Sequence, residues 1–409
     1  GIFSFHGWYQ DSDRNFAPVM SYMGPARKEN QQDRTYRFAG KWKYYGNKLI
    51  SRITAGISAN ELNYFLGMNE PRTVIYQTRS NSSSLQLRYD GEANLSSSTK
   101  LKILGELSHM KAHYDDLKKE TDFNAKRPEA GMSLSLHHKF DFPVAIYTLL
   151  RKDIYGDKIS PFMPAAGIEY SPSILSGLSF KTNLSRNYHY PDLNDLFWIP
   201  GGNPDLEPEV GYSSDVSVNY RLMMNEHELK TSLTGYYSSI DNWILWKPGE
   251  YGFWKAENLA RVNSHGIEYQ VNTDIKLNRL KFYLAGTYAY TRTVNREKEI
   301  QGDASYGKQL IYLPVHKANM NFFVQRKYFR IAYDLYAAGK RFVTTDNDPS
   351  QALDPYVLHD IKISGNFSFH DFQFESGLEV KNLLNTDYQV IKSRPMPGRN
   401  YGIWLKVMF

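Results

Sequence analysis

Side chains alternate between apolar and polar with a period of two along nearly the whole chain, and this pattern constrains the fold more than any other feature. From Leu85 to Leu95 the odd positions are Leu85, Leu87, Tyr89, Gly91, Ala93 and Leu95, and the even ones are Gln86, Arg88, Asp90, Glu92 and Asn94. Val216, Val218, Tyr220 and Leu222 against Ser217, Asn219 and Arg221 repeat it, as do Phe180, Thr182 and Leu184 against Lys181, Asn183 and Ser185. Successive strand side chains point to opposite faces, so these are two-faced β-strands. No stretch sustains a helical period. The pattern predicts eighteen strands, opening with 1–9, 35–45, 48–62 and 83–95 and closing with 372–383 and 400–409.

The connections sort by length. Short ones, such as Gly46-Asn47, Ser96 to Ser98, Asp141 to Pro143, Leu277-Asn278 and His370-Asp371, alternate with long ones such as 10–34, 188–210, 294–315 and 384–399. A soluble β-sandwich has no reason to place tight turns at one end and long loops at the other. An outer-membrane barrel has one, because its periplasmic turns are short and its extracellular loops long. The expected fold is therefore all-β, an antiparallel transmembrane β-barrel, closed because lipid offers no partner for a free strand edge.

Composition excludes the main rivals. A spanning helix needs about 20 consecutive apolar residues, whereas the longest nearly apolar run, Val144 to Leu150, has seven and includes Thr148. With no cysteine among 409 residues, a disulfide scaffold, a thiolate zinc site and cysteine catalysis are ruled out. A net charge of +6 does not by itself point to nucleic acid, because basic and acidic residues are interleaved, as at Asp115-Asp116-Leu117-Lys118-Lys119-Glu120. No nucleic-acid partner is expected, since such binding needs the cations gathered on one face. The motif Gly-x-Ser-x-Gly does not occur, and no enzymatic activity is expected. Aromatics near strand ends, including Trp42, Tyr44, Tyr45, Tyr236, Tyr237, Trp243 and Trp246, read as an interfacial girdle.

Segment 188–209 reads as a folded loop. Pro191 ends a strand by removing a ladder donor, and Asp192 can N-cap one helical turn carrying Leu193, Leu196 and Phe197. Gly201-Gly202 turns the chain, and Asn203-Pro204 and Pro208 stiffen its return to Glu209.

Pro191, Leu193, Leu196, Gly202, Asn203, Pro204, Leu206, Pro208 and Glu209 resemble a box typical of TonB-dependent outer-membrane receptors. Asn382-Leu383-Leu384-Asn385, Tyr388, Pro397-Gly398-Arg399 and the terminal Phe409 resemble that family's closing hairpin. The style resembles the vitamin B12 and siderophore branch. The resemblance implies a barrel of about 22 strands around an N-terminal plug. This chain, residues 1–409 as one domain, fits the last eighteen, so the plug and first strands are expected on another chain or elsewhere in the same gene product. Its start at Gly1-Ile2-Phe3, without Met, reads as processed or truncated.

The implied function is multi-pass residence in a bacterial outer membrane and active import of a scarce, large small-molecule ligand. Cobalamin or a related corrinoid comes first, ferric siderophore second and haem third, with a passive porin of about 18 strands as the rival class. The implied partners are TonB acting through the plug, membrane lipid and a surface lipoprotein. Ligand contacts are expected at loop aromatics and cations, namely Tyr188, His189, Tyr190, Trp198, Tyr251, Trp254, Arg341 and Arg394. No cofactor is required, though Asp11 and Asp13, or Asp346 and Asp348, could offer oxygens to calcium on outer loops.

Overall fold

The computed structural model describes residues 1–17, 27–68, 73–118, 121–198, 201–248, 254–298 and 301–408. Strands dominate, in chain order β1 (Ile2–Asn15), β2 (Arg27–Tyr45), β3 (Leu49–Met68), β4 (Thr73–Asn94), β5 (Thr99–Asp116), β6 (Thr121–Lys139), β7 (Val144–Tyr155), the two-residue β8 (Lys158–Ile159), β9 (Met163–Tyr170) and β10 (Leu178–His189). A single turn of helix, α1 (Leu193–Phe197), precedes β11 (Glu209–Met224), β12 (His227–Pro248), β13 (Trp254–Leu277), β14 (Leu280–Asn295), β15 (His316–Arg326), β16 (Phe329–Ala338), β17 (Tyr356–Phe369), β18 (Phe372–Lys381) and β19 (Asn400–Met408). No helix among the described residues is long and apolar enough to cross a membrane. The terminal Phe409 lies outside the described residues.

The chain divides into two compact units. The first comprises Gly1–Ile168, Asn183–Ser213 and Ser239–Arg261, and the second Glu169–Thr182, Ser214–Ser238 and Val262–Phe409. In the first, β1 to β7 pair in sequence as an antiparallel meander. In the second, β13 to β19 do the same.

The meanders are inside-out by the standard of a soluble protein, because the apolar face is the exposed one. Phe38 stands opposite Ile57, and Ile57 opposite Leu85, across β2, β3 and β4. The second unit repeats such a row, with Ile331 opposite Ile363, Ile363 opposite Leu378 and Leu378 opposite Ile403. Phe5 is 82% exposed, Leu85 61% and Ile403 85%. Apolar surface this continuous is covered by something apolar in the working protein, and for a sheet with period-two strands that cover is lipid.

The opposite face is polar and ion-paired. Arg88 bridges Asp90 (2.9 Å) and Glu106 (3.2 Å), while Arg151 bridges Glu106 (3.0 Å) and Asp153 (2.9 Å). Gly131 lies between Glu106 and Asp153 in the register of β5, β6 and β7. A β-carbon there would fall 2.5 Å from Asp153 Oδ1, so glycine is what lets Arg151 span the gap. Each pair is modest on its own; linked and partly shielded, they hold the inner wall in one arrangement.

Turn chemistry explains the tight ends. Asn225, Asn278, Lys327 and His370, each the first of two turn residues, take φ values of 54°, 54°, 51° and 52°. Asn tolerates this left-handed region through local side-chain bonding, and two-residue hairpins favour positive φ.

The expected long loops need correction, because much of them is strand. The span 10–34 contributes Gln10 to Asn15 to β1 and Arg27 to Arg34 to β2, and most of 63–82 belongs to β3 and β4. β4 has 22 residues and β13 has 24, whereas about 9–11 suffice to cross the apolar band. The extensions, such as Gln77-Thr78-Arg79-Ser80-Asn81-Ser82-Ser83-Ser84, are polar on both faces and so show no alternation. They run on past the lipid on the long-loop side, held by the ladder and by cross-strand polar pairs such as Asn30 Nδ2 to Asp13 Oδ1 at 2.6 Å.

Candidate functional site

The loop between β10 and β11 is built as expected and then pinned by residues that lie far from it in sequence. Asp192 N-caps α1, and the Asp195 carboxylate accepts the Asp192 backbone N–H at 3.0 Å. Asp195 also accepts the Trp246 indole N–H at 2.8 Å, tying the helical turn to β12. Leu196, Leu206 and Ala256 form a buried cluster, with Tyr190, Phe197, Ile244 and Trp246 packed around it. This loop therefore has its own small core.

Gly201, next to the box's Gly202, shows why the turn needs glycine. Its carbonyl accepts the Ala256 N–H at 2.8 Å, drawing the turn against β13. A β-carbon at Gly201 would sit 1.7 Å from the Trp254 carbonyl oxygen. Asn258 completes the clasp, accepting the Glu207 N–H at 2.8 Å and donating to the Glu207 carbonyl at 3.0 Å. Glu209 accepts the Ile244 N–H at 2.7 Å, and Asn242 donates to Glu207 Oε2 at 2.8 Å.

From the other side, Arg127 on β6 donates to the Pro191 carbonyl at 2.6 Å and to Glu129 at 2.7 Å. Its guanidinium lies over the rings of Tyr190 and Tyr155, 5.3 and 5.8 Å from their centroids. Tyr155 stacks on Tyr190 at 5.3 Å and lies 6.2 Å from Tyr188, while Phe123 stacks on Phe197 at 4.6 Å. A cavity of about 320 Å³ opens beside α1, lined by Asp192, Asn194 and Trp198 on one side and by Ser58, Ser82 and His113 on the other. A rigid aromatic and polar rim beside a concave space is what ligand recognition requires.

Of the expected ligand residues, Tyr188, His189, Tyr190, Trp198 and Trp254 belong to the first unit and Arg341 and Arg394 to the second. Tyr251 lies outside the described residues. His189 is exposed, and its ring approaches the carboxylates of Asp192 and Asp195, the one grouping of three metal-ligand side chains among the described residues, with ligand atoms within 4.8 Å of one another. Trp198 packs edge-on against Trp246 at 5.6 Å. Arg341 is only 4% exposed, and its guanidinium donates to the carbonyls of Gln389 (2.9 Å) and Asp354 (2.6 Å). Those bonds make it a loop fastener in the structure. Arg394 is half-buried, with its amide bonded to the Ile391 carbonyl.

The aspartates considered for calcium are already engaged. Asp11 and Asp13 lie within β1 and not on a loop, a correction that follows from the extended ladder. Asp11 accepts from Tyr9 and Arg34, and Asp13 from Asn30 and Gln32. Asp348 caps a short 3-10 turn, taking the Ser350 N–H at 2.9 Å. The Thr344 hydroxyl and the Asp348 amide hold the Asp346 carboxyl below its ordinary range.

Arg127, Asp195 and Trp246 were not identifiable from pattern alone. Trp246 reads as a girdle aromatic until its indole is seen on Asp195, and Tyr236 likewise turns inward to the Thr291 hydroxyl at 2.8 Å. Arg127 stands at an alternate position of β6 like any other inner-face residue.

Comparison with known proteins bears on this architecture. A family model described as TonB dependent receptor-like, beta-barrel matches residues 3–383. The chain is 25% identical over 228 residues, 56% of its length, to the vitamin B12 transporter BtuB of Vibrio vulnificus. It is 27% identical over 234 residues, again 56% of its length, to the vitamin B12 transporter BtuB of Photobacterium profundum. These matches span 33% and 35% of those proteins, so the chain covers about a third of the length of the curated relatives it matches. Among solved structures, the ferric-catecholate import receptor Fiu of Escherichia coli K12 superposes with a TM-score of 0.67 at 13% identity, covering 93% of this chain and 64% of that one. The copper transporter OprC gives 0.67 at 12% identity, covering 98% and 69%. At such identities the likeness concerns the fold alone.

Proposed function

Because the chain belongs to the TonB-dependent receptor-like β-barrel family, we propose that it is the barrel-wall portion of an outer-membrane active transporter whose ligand is cobalamin or a related corrinoid. The chain is all-β and resides in the outer membrane, as the family match and the lipid-facing rows of both units require. The observation that carries the ligand class is the similarity to two vitamin B12 transporters over more than half of the chain. Import of this kind makes and breaks no covalent bond. The wall's task is to present a fixed recognition surface, and the pinned loop from Tyr188 to Glu209 suits it, because ordering costs already met in the free protein need not be met on binding.

The remaining parts of the proposal come from the family: a plug closing the lumen, TonB pulling on that plug, and a surface lipoprotein over the loops. Family membership leaves the passive-porin reading without support.

Titration of the purified full-length receptor with cyanocobalamin tests this directly. Saturable nanomolar binding that weakens in Tyr190→Ala is the expected result. No cyanocobalamin binding, with a ferric siderophore or haem bound instead, would overturn the corrinoid assignment and leave the transporter class standing.

A further inference from the structure

We propose that the outer wall of the first unit carries a specific site for an anionic membrane lipid, with an acyl chain in an apolar groove and the headgroup on Arg186 and Lys152. The groove has a volume of about 590 Å³ and is bordered by Leu150, Leu184 and Tyr212, with Pro164 and Ala166 at its floor. Its cause is local: β9 turns the small Pro164 and Ala166 outward, where the flanking strands β7 and β10 present Leu150 and Leu184. Leu150, Leu184 and Tyr212 are all exposed large apolar residues, so the depression lies on the face that meets lipid.

Arg186 lines the same groove. It follows Leu184 by two residues on a strand and therefore shares its face. Its Nε is buried and has no hydrogen-bond partner, and no carboxylate pairs with it among the described residues. Lys152 repeats the step, two residues beyond Leu150 on β7, with its ammonium 4.2 Å from the centre of the Phe162 ring. β9 pairs with both β7 and β10, so the two cations stand on strands separated only by β9. β7 starts from the tight turn at Asp141 to Pro143 and β10 ends in the long loop that carries α1, so both cations lie beyond their leucines toward the long-loop side, that of the outer leaflet.

A cation on a lipid-facing wall is costly at mid-depth and tolerated near the interface, where headgroups supply the counter-charge. Here one cation with an unmet donor, Arg186, lines the apolar groove, and a second, Lys152, stands on the same face two residues beyond a lining leucine. That arrangement matches one molecule with a chain below and a phosphate above.

The test uses the full-length protein released from nanodiscs into native mass spectrometry, with phosphatidylglycerol or phosphatidylcholine of identical chains. Wild type should retain phosphatidylglycerol about 30-fold over phosphatidylcholine, the discrimination that two interfacial cations supply. Arg186→Gln with Lys152→Gln should abolish the preference, Arg186→Lys should keep most of it, and Ala166→Phe should lower retention of both lipids by filling the groove. Only variants that keep the heat-modifiable gel shift of a folded barrel are compared. Equal retention of the two lipids by wild type, or an unchanged preference in the double variant, would overturn the proposal. Displacement by inorganic phosphate alone would also overturn it, by showing a soluble-anion site.

Discussion

Replacing Gly201 with alanine should open the loop and leave the wall intact. The added methyl would fall 1.7 Å from the Trp254 carbonyl oxygen, a backbone atom that no side-chain rotation can move. The Ala256 N–H to Gly201 bond, 2.8 Å long, then cannot survive in place. Losing that bond costs about 0.5–1.5 kcal/mol, and forcing a methyl into packed structure costs about 1–3 kcal/mol. Together the closed loop loses about 1.5–4.5 kcal/mol.

Hydrogen–deuterium exchange reads this amide by amide. Ala256 N–H, Gly202 N–H to Trp198 and Asn203 N–H to Asp195 report closure, and they should exchange about 10-fold to 2,000-fold faster. Amides in the β4–β6 ladder should not change. Gly105→Ala is the control, because a β-carbon there meets nothing within 4 Å. Unchanged exchange at Ala256 and Asn203 would refute the clasp. Equal acceleration throughout the ladder would refute the loop's independence from the wall.

Trp246→Phe keeps an aromatic beside Trp198 but removes the donor to Asp195; the charge-assisted bond lost is worth about 1.5–3 kcal/mol, seen as faster exchange at the Asp192 amide, and no change there would count against it. Arg127→Met removes a cation that is 8% exposed from a carboxylate, Glu129, that is 17% exposed; leaving the partner uncompensated costs about 3–5 kcal/mol, lowering the thermal transition, with partial recovery when Glu129→Gln is added. Asp346 titrates below its ordinary value of 3.8 because the Thr344 hydroxyl and the Asp348 amide favour the carboxylate. Its folded value lies under its unfolded one, so the turn's contribution is full above the ordinary value and fades as pH falls through the folded one. The Asp346 carboxyl carbon shift should show that low midpoint, and Thr344→Val should raise it; a wild-type midpoint at or above the ordinary value would contradict the bonding.

Sequence and structure agree where a single physical rule acts alone. Leu85, Leu87 and Tyr89 face lipid, so their alternation is plain, and the tight ends at Asn278 and His370 sit where turn chemistry puts them. α1 begins at Asp192 as its capping pattern implies. Agreement fails where both strand faces are wet. Gln31, Gln32 and Asp33 belong to β2, yet nothing in their polarity separates ladder from loop, because water accepts either face. The site fails differently. Arg127 and Trp246 fasten the loop through partners 64 and 51 residues away, and no local window contains such a pair. Arg341 shows the converse, since a loop cation beside aromatics resembles a ligand contact until its guanidinium is found on two backbone carbonyls.

The position of Arg127 makes a stronger demand on the loop than either clasp does alone. It holds the Pro191 carbonyl and Glu129 together, and Glu129 in turn accepts from the Ser108 hydroxyl at 3.2 Å, so one side chain joins the loop's entry to the inner wall. Gly201 joins the same loop's far side to β13. If the segment closes as one unit, releasing either clasp releases both, and Gly201→Ala and Arg127→Met must be less than additive at the Asn203 amide. Residues sharing one network typically couple by about 0.5–3 kcal/mol, which here means the double variant exchanges up to about 100-fold more slowly than independent losses imply. Additivity within about 0.5 kcal/mol would instead mean that the two ends move separately. The Tyr188–Tyr190 face and Trp198 would then be two surfaces, and a ligand would have to order them itself.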